Sequence, residues 1–354
     1  MKIKSLTKIL LLILFLIPVS TFSGEWVPMN SGTTNTLYGI WGSSSMDVFA
    51  VGYGGTILHY DGVKWSVMNS GTTKYLLGVW GSAGTDVFAV GEAGTILHFD
   101  GIDWSPMESG TTLNLYDVWG SSGMDIFAVG PGQYGSPGII LYYDGSKWTP
   151  MSIQLPSTLS FYGIWGSSER NVWAAGALLY VEPSAIVAVP SIVYFNGTYW
   201  SDSLTLMNRK DDDFSAIWGS SPTNIFAVAS PGIIYHYDGT NWVPMESGSQ
   251  YFLRGVWGRS GSDVFTVGDY GTILHYNGEI WSPDMSGTTI VLSDIWCDEG
   301  TDAFVVGWSG TILHYSEQTT CSIWSDVISK YNFYVSGQAT WNDVITCYNQ
   351  YVSP

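Results

Sequence analysis

The sequence has few charged residues and very few basic ones. Only 12% of its 354 residues are charged, and 12 Lys and Arg face 30 Asp and Glu, which gives a formal net charge of -18. Soluble domains usually carry about 25% charged residues. A strongly acidic surface repels phosphate backbones and anionic lipid headgroups, so the composition predicts that nucleic acid is not a partner.

Cysteine is also scarce, with three residues in all: Cys297, Cys321 and Cys347. Two of them lie in the C-terminal tail, and a disulfide between Cys321 and Cys347 is the most economical pairing if the protein is exported. Cys297 would then be the cysteine left without a disulfide partner. The sequence alone does not fix the connectivity.

Long apolar runs are absent after the N-terminus. The first residues carry three Lys followed by an apolar run from Ile9 to about Val19. This run is shorter than the ~20 residues that span a bilayer, and it has the form of a secretory signal peptide. We therefore expect residues 1–23 to be removed before Gly24, without a lipid anchor because no Cys lies near the cut. The mature protein is predicted to be secreted, on the cell surface or periplasmic, with no stable membrane insertion.

Glycine and aromatic residues are abundant, and they recur with a period. The chain contains 42 Gly, 18 Trp, 22 Tyr and 14 Phe. An Ile-Trp or Val-Trp pair returns about every 40 residues at Trp41, Trp80, Trp119, Trp165, Trp218, Trp257 and Trp296. Each unit contains four short segments, A to D, which in the first unit read LYGIWG, DVFAVG, TILHYDG and KWSVM. An Asp-Gly or Asn-Gly pair between C and D predicts a tight hairpin whose two central residues both have positive φ.

Seven such units predict an all-β fold, a seven-bladed β-propeller over residues 24–316. The seventh unit stops at Ser316 without a D segment, whereas an additional D segment, EWVPMNSG with Trp26, precedes the first unit. We therefore expect the N-terminal strand to complete the last blade and close the ring, which leaves no free sheet edge.

The repeat W-G-S-S-x-x-D-V-F-A-V-G-x-x-G-T-I-L-H-Y-D-G-x-x-W resembles BNR-like propellers of the photosystem II assembly-factor type. The resemblance covers Glu25 to Tyr315 and implies the architecture alone, because propellers of this kind perform unrelated functions. Sialidases, which share the fold, hold a carboxylate with an arginine cluster, and the four Arg of this chain do not occupy matching repeat positions. The assembly factors use a basic patch, which this acidic chain does not supply. No functional residue is carried over.

The polar residues that recur in every unit are interpreted as scaffold. All five His occupy one slot of segment C, which Tyr142 and Tyr194 fill in the other two units. A hydrogen-bonding role in the fold is favoured over catalysis or zinc binding. The Asp that opens segment B becomes Asn171 or Asn224 in two units, which favours a role in turn structure over a ring of calcium ligands. Most Trp are expected to pack between blades, with a sugar-stacking surface as the alternative.

Length varies only in the B–C and D–A connections, and mainly in units three to five. In an up-and-down blade these two connections emerge on the same face, and variable loops carry function more often than constant ones. The insertions are 131–138, 152–160, 177–191 and 201–215. The apolar composition of 177–191 predicts a partner surface, and neutral drift of loop length is the alternative for all four.

The candidate binding residues lie in these insertions and are Tyr134, Tyr180, Glu182, Asp211, Asp212 and Asp213. The run of three Asp has the ligand type that calcium prefers, and a solvated loop is the alternative interpretation. No other metal or cofactor is predicted.

The tail, residues 317–354, departs from the propeller pattern. WSDVISKY and WNDVITCY place apolar residues at i, i+3, i+4 and i+7, which predicts a small helical hairpin.

The function predicted from these features is that of an exported, non-catalytic propeller. It would bind a protein or glycan through the B–C and D–A face around blades 3 to 5. The alternative is a secreted carbohydrate-active enzyme, a glycosidase or lyase, using acids near the central channel. Glu169, Glu182 and Asp211 to Asp213 are its non-repeating acids, and no catalytic residue is assigned.

Overall fold

The computed structural model describes residues 24–132, 137–153, 155, 158–182, 185–209 and 212–316. The predicted signal peptide, the C-terminal hairpin and the Cys321–Cys347 disulfide lie outside these residues. Strand β1 spans Glu25–Pro28. The remaining strands follow in chain order, four to a blade except in blade 7.

Blades 1 to 3 contain β2 (Leu37–Ser44), β3 (Asp47–Gly52), β4 (Ile57–Tyr60), β5 (Trp65–Met68), β6 (Leu76–Ala83), β7 (Asp86–Gly91), β8 (Ile96–Phe99), β9 (Trp104–Met107), β10 (Asp117–Ser122), β11 (Asp125–Gly130), β12 (Ile139–Tyr143) and β13 (Trp148–Pro150). Blades 4 and 5 contain β14 (Leu159–Ser168), β15 (Asn171–Glu182), β16 (Ala185–Phe195), β17 (Trp200–Thr205), β18 (Phe214–Ser221), β19 (Asn224–Ala229), β20 (Ile233–Tyr237) and β21 (Trp242–Met245). Blades 6 and 7 contain β22 (Leu253–Ser260), β23 (Asp263–Gly268), β24 (Ile273–Tyr276), β25 (Trp281–Asp284), β26 (Leu292–Cys297), β27 (Ala303–Gly307) and β28 (Ile312–Ser316).

These strands form seven antiparallel four-stranded sheets, as the repeat predicts. Six sheets follow chain order, and the seventh has the order β1-β28-β27-β26. The N-terminal strand therefore completes blade 7. The A strands of neighbouring blades lie against each other around the central channel, and the B–C and D–A connections of every blade lie at the same end of the ring. Four B–C connections contain short 3-10 turns at Tyr53–Gly55, Glu92–Gly94, Asp269–Gly271 and Trp308–Gly310.

The closing strand is attached by backbone and side-chain contacts. The backbone N–H of Met29 donates to the carbonyl of Ile312 at 2.9 Å. The Trp26 indole packs against Tyr315, with ring centroids 5.2 Å apart, and its Nε1 donates to Oδ2 of Asp284 in blade 6 at 3.1 Å. The N-terminal strand thus joins two blades as well as completing one.

The C–D connections differ in detail from the predicted two-residue hairpin. In blade 1 the loop comprises Asp61, Gly62, Val63 and Lys64, and only the glycine has positive φ, at 84°. Oδ1 of Asp61 accepts hydrogen bonds from the backbone N–H of Val63 at 3.0 Å and of Lys64 at 2.9 Å. The expectation of positive φ at both residues was wrong, because the Asp side chain organises the turn through these bonds while its own backbone stays in an ordinary conformation.

The recurring His and Asp form pairs inside each blade. Nε2 of the strand C His lies 2.6 to 2.9 Å from the side-chain oxygen of the Asp or Asn that opens strand B, in blades 1, 2, 5, 6 and 7. In blades 3 and 4 the hydroxyls of Tyr142 and Tyr194 donate to Asp125 and Asn171 at 2.6 and 2.7 Å. The strand C His or Tyr and the strand B Asp or Asn therefore bond to each other in every blade. These recurring polar residues are part of the scaffold.

The tryptophans pack between blades, again as predicted. In six of the seven blades, the six-membered ring of the strand A Trp covers the glycine that follows the corresponding Trp of the next blade. A Cβ on Gly81 would lie 2.7 Å from the Trp41 ring, and one on Gly120 would lie 2.7 Å from the Trp80 ring. The strand D Trp packs against the strand B Phe of the preceding blade, as Trp104 does on Phe49 at 6.3 Å.

The boundary between blades 6 and 7 departs from this pattern. Cys297 takes the place of the packed glycine, and Trp257 is half-buried where the other six strand A Trp are buried. The Trp257 indole instead donates to the Cys297 carbonyl at 3.1 Å. Arg259 occupies a position that is Ser in blades 1 to 5. Its guanidinium lies 5.3 Å from the centroid of the Phe265 ring and donates to Asp263 at 3.1 Å. Burial raises the pKa of the Cys297 thiol, so this free, buried cysteine behaves as a packing residue.

Candidate functional site

A β-bulge near the start of strand A turns additional side chains toward the central channel. The register of the A–B pairing shifts three residues before the strand A Trp in six blades. A bulge adds one residue to a strand and re-aims its side chain. The bulge residue and the residue after it therefore both reach the channel. The bulge residues in these six blades are Tyr38, Leu77, Tyr162, Ser215, Arg254 and Ser293.

These side chains line a cavity at the mouth of the channel. Its volume is about 640 Å³, which lies in the range of pockets that hold ligands. Residues of the B–C turns (Glu92, Trp308) and of the D–A connections (Tyr75, Asn114, Asp213) complete the lining. Because both kinds of connection lie at one end of the ring, the cavity opens on the face that carries the insertions.

Aromatic rings form much of the rim. Tyr38 and Tyr75 lie 6.5 Å apart, measured between ring centroids, and Tyr75 lies 4.5 Å from Tyr53. Across the neighbouring blades, Tyr116 and Tyr162 are 5.5 Å apart. A rim of this kind offers flat apolar surfaces to a ligand.

Further aromatic residues lie exposed on the same face. The ring centroids of Tyr251 and Tyr270 lie 4.7 Å apart with the ring planes tilted by 37°, and Tyr270 is 66% exposed. Tyr270 also has positive φ, at 56°, in the position where blade 1 has Gly54. Left-handed backbone is costly for an aromatic residue, and such strain concentrates at functional sites.

Two carboxyl groups lie in the channel beneath the rim. Asp117 and Asp294 occupy the repeat position two residues before the strand A Trp, which is Gly or Ala in the other five blades. Oδ2 of Asp117 accepts from the N–H of Ile164 in the next blade at 2.8 Å. Oδ2 of Asp294 accepts from the N–H of Ile40 at 3.0 Å across the ring closure. Each carboxyl group therefore joins the A strands of two blades.

Burial in the channel raises the pKa of both groups to about 7. Desolvation of the charged form is the largest cause, and the backbone hydrogen bonds oppose it. Asp117 also raises the pKa of Asp294 through the repulsion of like charges, so the two groups interact electrostatically. Both carboxyl groups are thus partly ionised near neutral pH.

The remaining charges of the lining are Glu92, Asp213 and Arg254. Nε of Arg254 lies 2.6 Å from Oδ1 of Asp269, and its guanidinium lies over the Phe252 ring at 4.7 Å. Among the described residues of the lining, Arg254 is the only basic one, and its charge is balanced by Asp269. Burial, and then repulsion from Asp212, raises the pKa of Asp213.

The predicted site residues fall in several places. Tyr134 and Asp211 lie outside the described residues, as does the side chain of Glu182 at the end of β15. Tyr180 is half-buried in the same strand, Asp212 is half-buried in the D–A connection of blade 4, and only Asp213 lines the cavity. These assignments stay predictions. Glu169 lies in an A–B turn, at the opposite end of the ring from the cavity, and faces Arg170 at 3.6 Å.

The apolar insertion 177–191 is a β-hairpin rather than a loop. Strands β15 and β16 extend past the neighbouring strands and pair from Ala177↔Pro190 to Glu182↔Ala185. Ala177, Val187 and Val189 are buried. Part of the apolar composition therefore serves the packing of the hairpin itself.

Sequence reasoning missed Asp117, Asp294 and the tyrosines of the rim. Aligning the repeats at strand A gives LYGIW, LLGVW, LYDVW, FYGIW, FSAIW, LRGVW and LSDIW. In that alignment the two Asp stand where the other units have Gly or Ala. A comparison of loop lengths alone does not detect such a substitution.

Neither a metal centre nor a membrane span emerges from the residues described. Within them, no group of three or more His, Cys, Asp or Glu could hold a metal ion. Likewise, none of their helices has the length and apolarity needed to cross a membrane. Calcium at Asp211 to Asp213 stays a prediction, because Asp211 lies outside this part of the chain.

Comparison with solved structures supports the architecture. A structure of YCF48 bound to a D1 peptide matches with a TM-score of 0.62 and 16% identity, covering 84% of this chain and 99% of that one. YCF48 from Cyanidioschyzon merolae matches with a TM-score of 0.63 and 16% identity, covering 82% of this chain and 98% of that one. The WD40 propeller domain of Doa1 matches with a TM-score of 0.67 and 11% identity, covering 84% and 98%. No protein-family model and no curated protein matches the chain.

These likenesses define the class of protein. The chain is a seven-bladed β-propeller whose architecture is that of the assembly-factor type, as the repeat indicated. At 11% to 16% identity they establish the fold, and this fold is compatible with a non-catalytic binding protein.

Proposed function

We propose that the protein is an exported, non-catalytic propeller that binds a protein or glycan on the B–C and D–A face. The observation that carries the proposal is the coincidence, on one face, of the aromatic cavity mouth and the extended β15–β16 hairpin. The YCF48 structure, which contains a peptide of D1, supports a protein ligand. Export is supported by the sequence of residues 1–23 alone, and N-terminal sequencing of the exported protein tests it.

Two variants test the binding face. In the first, residues 178–189 are replaced by Asn-Gly, which suits a two-residue turn between the paired Ala177 and Pro190. The second combines Tyr116→Ala with Trp308→Ala at the rim, where both side chains are exposed. The control is Ile102→Ala, an exposed C–D residue on the opposite face.

Binding is measured on peptide and glycan arrays, and folding by circular dichroism and thermal denaturation. We expect at least one face variant to lose ligands that the parent protein and I102A retain, with the fold unchanged. Equal binding by both face variants and the parent would reject the face as the binding surface.

A glycosidase or lyase is the second candidate function. Asp117 and Asp294 favour it, because both have a pKa of about 7 and face the same cavity, which suits general acid and base catalysis. Against it, both oxygens of each carboxyl group already accept backbone hydrogen bonds. Release of sugars from polysaccharides, lost in Asp117→Asn and in Asp294→Asn, would establish this function in place of the first.

A further inference from the structure

The chemistry of the cavity points to the kind of group it holds, if the proposed binding function is correct. Its charged lining consists of four carboxyl groups, Glu92, Asp117, Asp213 and Asp294, and of Arg254. None of the four carboxyl groups forms an ion pair within the described part of the chain, whereas Arg254 is paired with Asp269. The cavity therefore has an excess of negative charge that no cation among the described residues neutralises.

The depth at which the aromatic and acidic side chains lie in the cavity further restricts the kind of ligand that fits. Tyr38, Tyr116 and Tyr162 lie three residues before the strand A Trp of their blades, next to the D–A connection. Asp117 and Asp294 lie two residues before that Trp, which is one residue, or about 3.3 Å, further along the strand and away from the face. A ligand entering from the face meets the aromatic rings together with Glu92 and Asp213 first, and Asp117 and Asp294 below them.

We propose that the channel mouth binds the side chain of an Arg or Lys residue presented by an extended protein segment. The aliphatic stem of such a side chain lies against the tyrosine rings. Its cationic head reaches the carboxyl groups of Asp117 and Asp294, whose oxygens each keep a second lone pair beside the backbone hydrogen bond that they accept. An amino sugar fits this depth less well, because its amine is attached directly to the sugar ring and cannot extend below the rim.

The test uses short peptides as probes and the full chain as receptor. Acetyl-Gly-Gly-Arg-Gly-Gly-amide, the same peptide with Lys, and the same peptide with Gln are titrated by calorimetry at pH 8. Asp117→Asn with Asp294→Asn removes both deep charges and keeps side-chain shape. Asp103→Asn, an exposed acid in a C–D turn, is the control for removing one negative charge away from the cavity.

We expect the Arg or Lys peptide to bind at least tenfold more tightly than the Gln peptide. The D117N/D294N variant should lose at least tenfold in affinity, and D103N should stay within twofold of the parent. Glu92→Gln, which leaves the strand contacts of Asp117 and Asp294 intact, serves as a second variant if the double variant unfolds, and should weaken binding by twofold or more.

Each contrary result is distinct. Equal binding of the Gln and Arg peptides, or no effect of either acidic variant, would overturn the cation proposal. Tighter binding of chitosan oligosaccharides than of the basic peptides would assign the site to a glycan. Charge-independent binding that the Tyr116→Ala and Trp308→Ala variant abolishes would leave the proposed function intact, whereas loss of the face as a binding surface would remove both proposals.

Discussion

Nε2 of His98 lies 2.7 Å from Oδ1 of Asp86, and the same contact joins strands B and C in every blade, with Tyr in place of His in two of them. The imidazole also stacks on Phe88 at 4.4 Å. A feature repeated around the whole ring cannot define one site, so its role is to hold each blade together.

The first prediction concerns this pair. His98→Ala removes a hydrogen bond to a charged group and a ring contact, so we expect the free energy of unfolding to fall by about 1.5–3 kcal/mol. His98→Tyr should cost less than about 1 kcal/mol, because Tyr142 makes the equivalent bond to Asp125 in blade 3. Urea denaturation measures both. Equal losses in the two variants would show that the contact is not what the position requires.

The second prediction concerns the packing of Trp41 on Gly81. A Cβ at Gly81 would lie 2.7 Å from the Trp41 ring, so Gly81→Cys should destabilise the protein by about 1–3 kcal/mol through overpacking. Cys297 is tolerated at the equivalent position of blade 7 because Trp257 is displaced there. Cys297→Ala, which keeps the Cβ, should therefore cost less than Gly81→Cys in the same denaturation experiment. The reverse order would contradict this account.

The blade number and the ring closure could be predicted from the sequence, but most of the candidate site could not. Counting D segments was enough to place Trp26 in blade 7, because strand pairing follows the repeat. The cavity depends on seven A strands meeting around one axis and on the bulge at residues such as Tyr38. Neither is a local property of the chain. The turn at Asp61 shows a smaller limit, since the residue pair identified the turn but not which residue would have positive φ.

The third prediction concerns the closing strand. Trp26 is buried, contacts Phe265 and Tyr315, and donates to Asp284. Trp26→Ala should lower stability by about 3–5 kcal/mol and favour aggregation, because a weakened β1 exposes the edge of β28. The control is Trp308→Ala, whose ring is 47% exposed and whose loss should change stability by less than about 0.5 kcal/mol. Denaturation and light scattering measure the two effects, and a Trp26→Ala protein as stable as the control would refute the closure role.

The fourth prediction separates strain from binding at Tyr270. Because its φ is 56°, Tyr270→Gly should raise stability by about 0.5–1 kcal/mol. Tyr270→Ala keeps the strained backbone, as Ala93 does at the same position of blade 2, and should give no gain. If the face binds ligand as proposed, both variants lose affinity equally. A stabilised Tyr270→Ala would show that the ring, rather than the backbone, carries the cost.

The last prediction is a pH dependence that originates at Asp117 and Asp294. Their pKa of about 7 in the folded protein lies above the ordinary Asp value of 3.8, so the folded state binds protons more tightly than the unfolded state. The stability that they contribute is present below pH 4, is lost progressively up to about pH 7, and is constant above it. In the D117N/D294N variant this loss should be absent, so the parent minus variant difference in unfolding free energy should decline between pH 5 and pH 8. Glu92, Asp213 and the Arg254–Asp269 pair face the same cavity and are unchanged in both proteins.

The affinity for the Arg peptide should change with pH in the direction opposite to stability. It should tighten roughly tenfold from pH 6 to pH 8 as the two carboxyl groups ionise. A parent minus variant difference that is flat with pH would place both groups at ordinary pKa values, and the affinity for the Arg peptide would then stay constant between pH 6 and pH 8.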